Sequence, residues 1–115
     1  MKPEGHLEKA EAFEQRAKKW TSDRDAPSVI EDIFDAAVHY IAYTINIKYG
    51  KDIDSHSKQK RFLRENEENK IYYSFVEIEH IRMGSVYGGS WNGERIQKAL
   101  KYLEDIKGWK GSTGK

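Results

Sequence analysis

Residues 25–50, with the sequence DAPSVIEDIFDAAVHYIAYTINIKYG, decide the fold because they have the pattern of one long amphipathic helix. Apolar side chains return every three or four positions along this stretch, which is the period of a helix that buries one face. Asp25 and Pro27 provide a cap and a first-turn proline, and Gly50 stands where a left-handed C-cap belongs. The stretch therefore predicts a helix of roughly 35 Å that forms the spine of the domain.

The segments around this spine predict four more helices. Periodic apolar residues place them at about 5–20, 56–64, 71–86 and 92–107, and the second of these is short and basic. Ser55 can cap the short helix, the glycine-rich residues 84–93 are expected to form a loop, and Gly108 is expected to end the last helix. The predicted fold class is therefore all-α, an up-and-down antiparallel bundle of four main helices plus one short helix.

Composition and charge fit a single domain over residues 1–115 with an ordered core at about 5–107. The formal net charge of +1 excludes a strong general attraction for polyanions, so contact with nucleic acid requires a local patch. The sequence has no cysteine, which excludes a disulfide framework and favours a reducing compartment. No stretch is apolar enough to span a membrane, and the charged N-terminus is unlike a secretion signal. We therefore expect a cytoplasmic protein without membrane contact.

The predicted fourth helix is apolar on two opposite sides. One stripe holds Ile71, Phe75 and Ile78, and the other holds Tyr72, Val76 and Met83. A helix of this kind is normally sandwiched between layers of a bundle, or between the bundle and a partner. We therefore predict that the second stripe forms the outer seam of a homodimer. The alternative is that this stripe receives the short basic helix.

Arg82 is the most informative single residue, because it continues the stripe of Ile78 and so points inward. One interpretation is structural: the guanidinium pairs with a carboxylate from another helix, since an unpaired buried charge is costly. The other interpretation is functional, with Arg82 as a cation at the floor of a cleft that holds phosphate. The sequence leaves both open.

A basic patch marks the short helix. It consists of His56, Lys58, Lys60 and Arg61, followed by Arg64. Such a run of charge is usually a solvated face. Its functional interpretation is an edge that contacts phosphates, with Tyr72 and Tyr73 close in sequence as stacking residues.

Two pairs have a spacing that occurs in metal sites, namely Glu77 with His80 and Asp35 with His39. Carboxylate-bridged di-metal bundles need two Glu-x-x-His motifs and two further inward carboxylates, and this chain has a single such motif. The polar side of the long helix, which carries Asp32, Asp35, His39 and Asn46, is predicted to face solvent. We therefore expect no metal site and no cofactor.

Three short motifs resemble the HEPN superfamily in their order along the chain. The long helix ends in Lys48-Tyr49-Gly50, the short helix starts with Asp54-Ser55-His56-Ser57, and Arg82-Met83-Gly84-Ser85-Val86-Tyr87-Gly88 precedes the last helix. The chain looks most like the short stand-alone archaeal and bacterial members over residues 5–107. The resemblance implies a bundle that usually dimerises, is often encoded beside a minimal nucleotidyltransferase, and binds nucleotide or RNA in a cleft at the dimer interface.

The ribonuclease members of that superfamily carry an Arg followed by four to six residues and a His, and this sequence departs from that pattern. Counting from Arg82 leads to Tyr87 and two glycines instead of the histidine. Tyrosine, with an ordinary pKa of about 10, is a poor base near neutral pH. His80 is a substitute in principle, but it lies about 160° around the helix from Arg82.

The expected function is a HEPN-like module that binds nucleotides or RNA, or a toxin–antitoxin-type partner of a nucleotidyltransferase, rather than a competent nuclease. The binding residues would be Arg82 and Tyr87 together with the patch of His56, Lys58, Lys60 and Arg61. One alternative is a divergent metal-independent ribonuclease that uses Arg82 with His80 or Tyr87. The other alternative is a purely structural interaction protein.

Overall fold

A computed structural model describes residues 2–19, 26–86 and 93–111, which form five helices and no strand. The helices are α1 (Pro3–Lys18), α2 (Ala26–Tyr49), α3 (His56–Glu65), α4 (Asn69–Val86) and α5 (Gly93–Trp109). The predicted fold class, an all-α bundle of four main helices and one short helix, is confirmed. Residue 20, predicted to end the first helix, lies outside the described ranges, as does most of the predicted glycine loop.

α2 is the central helix, as its pattern predicts. Its 24 residues correspond to about 36 Å, close to the 40 Å length of the whole bundle. All four other helices pack against α2, and α1 makes the most extensive contact with it. The buried hydrophobic side chains of α2 are Val29, Ile30, Ile33, Phe34, Ala36, Ala37, Tyr40, Ile41, Ala42 and Ile45. These residues cover more than one face, so α2 is a core helix.

The prediction that the polar side of α2 faces solvent is wrong for Asp32 and His39. Asp32 is only 6% exposed and pairs with Arg16 of α1 at 3.5 Å. His39 packs on His6 and Phe13, which also belong to α1. The physical reason is that α1 covers this side of α2 and brings polar partners with it, so polar residues at these positions can be buried.

The helix ends follow the sequence signals only in part. Gly50 has φ 69° and Ser55 accepts a hydrogen bond from the backbone of Lys58, so the predicted C-cap of α2 and N-cap of α3 are confirmed. Asp25, the predicted N-cap of α2, lies outside the described residues. Gly108, in contrast, lies inside α5, because Trp109 continues the helix and buries its ring in the core. Gly84 likewise lies inside α4, which runs two residues beyond it.

α4 packs against three other helices, and its first apolar stripe lies between layers of the bundle. Ile71, Phe75 and Ile78 are buried in the core shared with α2. α3 and α5 also pack against α4. None of the helices in the described ranges is long and apolar enough to cross a membrane.

Candidate nucleic-acid interface

Phe34 of α2 is the point at which three helices bring together the residues that the sequence singled out. The ring is nearly buried and stacks on Phe75 of α4, with 5.7 Å between the centroids. The edge of the His56 ring, at the start of α3, meets it at 5.6 Å. The guanidinium carbon of Arg82 lies over it, 4.5 Å from its centroid. Arg82 and His56, 26 positions apart in sequence, therefore contact one side chain.

Arg82 also pairs with a carboxylate from another helix, as its structural interpretation predicts. Its Nε donates to Oε2 of Glu31 on α2 at 2.6 Å. The side chains of Arg82 and Glu31 are 34% and 42% exposed, so the pair lies at the edge of the core. Solvent and small ligands can reach this guanidinium, and the functional interpretation of Arg82 is compatible with the pair.

Asp35 adds a second carboxyl group near Arg82. Burial raises the pKa of Asp35 above its ordinary value, and the neighbouring carboxylates of Glu31 and Asp32 raise it further. Arg82 and Arg16 lower it, but these effects are smaller. The α2 side of the site therefore holds a carboxyl group that binds a proton more readily than an exposed aspartate does.

The basic patch on α3 divides into two pairs. His56 and Lys60 lean towards α4, where both meet Glu79, with Nε2 of His56 at 3.9 Å and Nζ of Lys60 at 2.8 Å from its carboxylate oxygens. Lys58 and Arg61 are exposed, and within the described ranges neither of them forms an ion pair. The first pair docks α3 on α4, and the second pair presents two positive charges to solvent.

Only one of the two predicted stacking residues belongs to this surface. The guanidinium carbon of Arg64 lies 5.8 Å from the ring centroid of Tyr72, which places Tyr72 beside α3. Tyr73 faces α5 instead, where its ring meets that of Tyr102. Of the two predicted stacking residues, only Tyr72 therefore lies against a cation of α3, and that cation is Arg64.

The contacts of α3 also bear on the proposed dimer seam. Tyr72 and Glu79 lie on the second stripe of α4, and both are met by side chains of α3. The predicted alternative, that this stripe receives the short basic helix, therefore holds for its first half. Met83, at the other end of the stripe, is 50% exposed.

The two weaker catalytic candidates are placed differently. His80 is well exposed and faces Glu77, with Nδ1 3.7 Å from a carboxylate oxygen, on the side of α4 away from Phe34. His80 therefore does not lie beside Arg82, in agreement with their predicted separation around the helix. Tyr87 lies outside the described residues.

A buried polar network, which the sequence analysis missed, joins α1, α2 and α5. Glu14 is only 2% exposed and accepts hydrogen bonds from the Tyr40 hydroxyl at 2.5 Å and from Lys18 at 2.8 Å, while Lys107 approaches at 3.3 Å. Burial raises the pKa of Glu14, but the hydrogen bonds from Lys18 and Tyr40, together with the charges of Lys107 and Lys18, hold the pKa below its ordinary value. The network is closed to ligands and stabilises the bundle.

Two histidines form a second buried contact between α1 and α2. Nδ1 of His6 and Nδ1 of His39 are 2.9 Å apart, so one nitrogen donates and the other accepts. Burial lowers the pKa of both imidazoles. The sequence signal was the spacing of the buried α1 residues, His6, Ala10, Glu14 and Ala17, which is helical but includes two polar side chains.

A shallow groove lies elsewhere, where the start of α4 meets the end of α5. Its lining includes Glu68, Glu104 and Asp105 against the single cation of Lys70. Because three of the four charged residues in this lining are acidic, the groove is a poor site for a phosphate or a polynucleotide.

Comparison with protein-family models, with curated proteins and with solved structures finds no match to this chain. What the protein does must therefore be inferred from its own residues and their geometry.

Proposed function

We propose that this protein is a HEPN-like helical-bundle module that binds nucleotides or RNA through α3 and the adjoining Arg82, without an intact ribonuclease motif. One observation carries the proposal: Arg82 and His56, from different helices, contact the Phe34 ring, while Lys58 and Arg61 of the same α3 are exposed cations. α3 thus presents two exposed positive charges, on a chain whose net charge is only +1.

The chemistry of these side chains suits a phosphate backbone with unstacked bases. Lysine and arginine side chains neutralise phosphates and release counterions, and arginine can grip two phosphate oxygens at once. Lys58 and Arg61 need break no ion pair to do so. Tyr72 with Arg64 offers an aromatic ring and a planar guanidinium on which a base can stack.

The cellular setting is part of the same proposal. A cytoplasmic location fits the lack of cysteine in the sequence. Pairing of two copies along α4, and association with a minimal nucleotidyltransferase as in toxin–antitoxin pairs, are what the HEPN resemblance implies. The exposed Met83 supports pairing at the free end of the second stripe.

Fluorescence anisotropy with a short labelled poly(U) RNA tests the binding proposal. The double variant Lys58→Ala/Arg61→Ala should bind at least about tenfold more weakly, and the slope of log affinity against log salt should fall by about 1.4, since each single-strand phosphate contact contributes about 0.7. The matched control is Lys98→Ala/Lys101→Ala, which removes the same charge from exposed positions on α5. Equal loss in both variants, or no binding by the wild type, would exclude the α3 surface. Competition by ATP or GTP shows whether free nucleotides share the site.

A second candidate function is a metal-independent ribonuclease, and the shared contact of Arg82 and His56 with Phe34 is the observation that favours it. His56, unlike His80, is an imidazole on the Arg82 side of the bundle. The protein should be incubated with tRNA and mRNA beside Arg82→Ala, His56→Ala and, as a control, His80→Ala. Cleavage that is lost in the first two variants and kept in the third would replace the binding-only proposal. If the protein neither binds nor cleaves RNA, a purely structural interaction role is left.

A further inference from the structure

His6, Asp52 and Asp54 form a group of potential metal ligands away from the Arg82 site. His6 lies in the first turns of α1, and the two aspartates lie in the segment between α2 and α3. One ligand atom from each of the three residues lies within 4.8 Å of the others. Both carboxylates are exposed, and neither has an ion-pair partner among the residues that the structure describes.

The histidine distinguishes this group from an ordinary acidic cluster. His6 is only 3% exposed, and its Nε2 is buried without a hydrogen-bond partner among the described residues. Its other nitrogen, Nδ1, is already 2.9 Å from Nδ1 of His39. A buried polar atom without a partner is costly, so this ring nitrogen, on an imidazole that lies close to two carboxylates, is a candidate ligand for a bound group.

The contact with His39 also orients the imidazole in the way that metal sites require. A histidine that binds a metal through one nitrogen usually donates its other N–H to a neighbour, which fixes the tautomer. If His6 donates its Nδ1–H to His39, the lone pair of Nε2 is available as a ligand. His39 is held in turn by Phe13, whose ring stacks on it at 5.9 Å.

From this geometry we infer that His6, Asp52 and Asp54 bind a divalent first-row metal ion, and bind Zn²⁺ more tightly than Mn²⁺. One imidazole and two carboxylates suit both ions, and Zn²⁺ is the more tightly bound of the two for a given set of ligands. Ligands at about 2.1 Å from one ion are at most about 4.2 Å apart. A spread of 4.8 Å therefore needs only a small movement of the exposed aspartates.

The bound metal ties the start of α1 to the segment that leads into α3. Asp54 immediately precedes Ser55, the residue that caps α3. Three protein ligands leave at least one coordination position for water or an anion. The metal would thus order the α3 start, which carries the proposed phosphate contacts, but it would bind whether or not α3 binds RNA.

Isothermal titration calorimetry on the tag-free protein tests the site with ZnCl₂ and MnCl₂, with MgCl₂ as a comparison. The wild type should bind one Zn²⁺ per chain. The Zn²⁺ affinity of Asp52→Asn/Asp54→Asn should be lower by more than about a hundredfold, which is a larger loss than removal of an outer-shell partner causes. The exposed pair Glu11→Gln/Glu65→Gln removes the same charge and should bind Zn²⁺ as the wild type does. The two aspartates are exposed, so their replacement should leave the fold intact, which far-ultraviolet circular dichroism verifies.

Imidazole NMR spectra assign the ligand directly. On addition of Zn²⁺, the Nε2 resonance of His6 should move while those of the exposed His56 and His80 stay in place. The inference is wrong if the wild type binds no Zn²⁺, if the Asp52→Asn/Asp54→Asn variant binds it equally well, or if only His56 and His80 respond.

Discussion

Replacement of Arg82 by methionine separates the structural from the functional role of this residue. Methionine keeps the apolar stem of the side chain but loses the guanidinium, which lies over Phe34 and pairs with Glu31. Loss of one partner of a fully buried ion pair costs about 3–5 kcal/mol. Glu31, however, is 42% exposed, so water solvates its carboxylate once Arg82 is gone. The full penalty for a buried charge does not apply here.

The expected loss of stability is correspondingly small. An exposed ion pair contributes about 0.2–1 kcal/mol, and an exposed cation–π contact about 0.5–1 kcal/mol, of which methionine restores a part through its own contact with the ring. We therefore expect Arg82→Met to lower the free energy of unfolding by about 1 kcal/mol, or the melting temperature by about 3–6 °C for a domain of this size.

Urea unfolding followed by circular dichroism measures this loss, with Glu31→Gln and the double variant completing a mutant cycle. The coupling between Arg82 and Glu31 should be about 0.5 kcal/mol. A loss above about 3 kcal/mol would refute the view that the pair is solvated at the edge of the core. An unchanged melting temperature together with lost RNA binding would make Arg82 primarily functional.

Three further predictions concern the rest of the bundle. Glu14→Gln should lower the free energy of unfolding by about 2 kcal/mol at pH 7. This is less than the loss of one partner from a fully buried ion pair, because Lys18 and Lys107 can be solvated. Because folding lowers the pKa of Glu14, its carboxylate stabilises the fold above the ordinary pKa of 4.5, and this stabilisation is lost as the pH falls through the folded-state pKa. The unfolding free energies of the wild type and the variant should therefore converge in acid. A constant difference down to pH 3 would contradict this. Gln59→Ala should cost about 1–3 kcal/mol in urea unfolding, because the buried amide donates to two backbone carbonyls that would lose their partner; a neutral effect would contradict its role. Light scattering after size exclusion should show about twice the 13.4 kDa chain mass, and Met83→Lys should give monomers; a monomeric wild type would remove the dimer proposal.

The elements of the fold that depend on local sequence could be predicted. The apolar period of α2 and the need for a left-handed residue at Gly50 are properties of the chain itself, and both are confirmed. The prediction that α5 ends at Gly108 is wrong because a glycine ends a helix only when continuing the helix stabilises no residue beyond it. Here one more helical residue buries Trp109, and that burial depends on tertiary contacts.

The polar contacts between helices could not be predicted in the same way. The inward direction of Arg82 follows from helical geometry, but the choice of Glu31 as its partner depends on the relative position of α2 and α4. The burial of Glu14 and His6 depends on the partners that α2 places opposite them, Tyr40 and His39. A pattern that counts charged residues as exposed cannot find such pairs.

The most direct test of nucleic-acid binding at α3 is a titration of the ¹⁵N-labelled protein with a short poly(U) RNA, followed by heteronuclear NMR. We predict saturable shifts of the α3 amides and of the Arg82 side-chain Nε–H, with the amides of Lys98 and Lys101 on α5 unchanged. Shifts confined to α5 or to the acidic groove near Glu104, or no shifts at all, would contradict the proposal that α3 and Arg82 form a nucleotide- or RNA-binding surface.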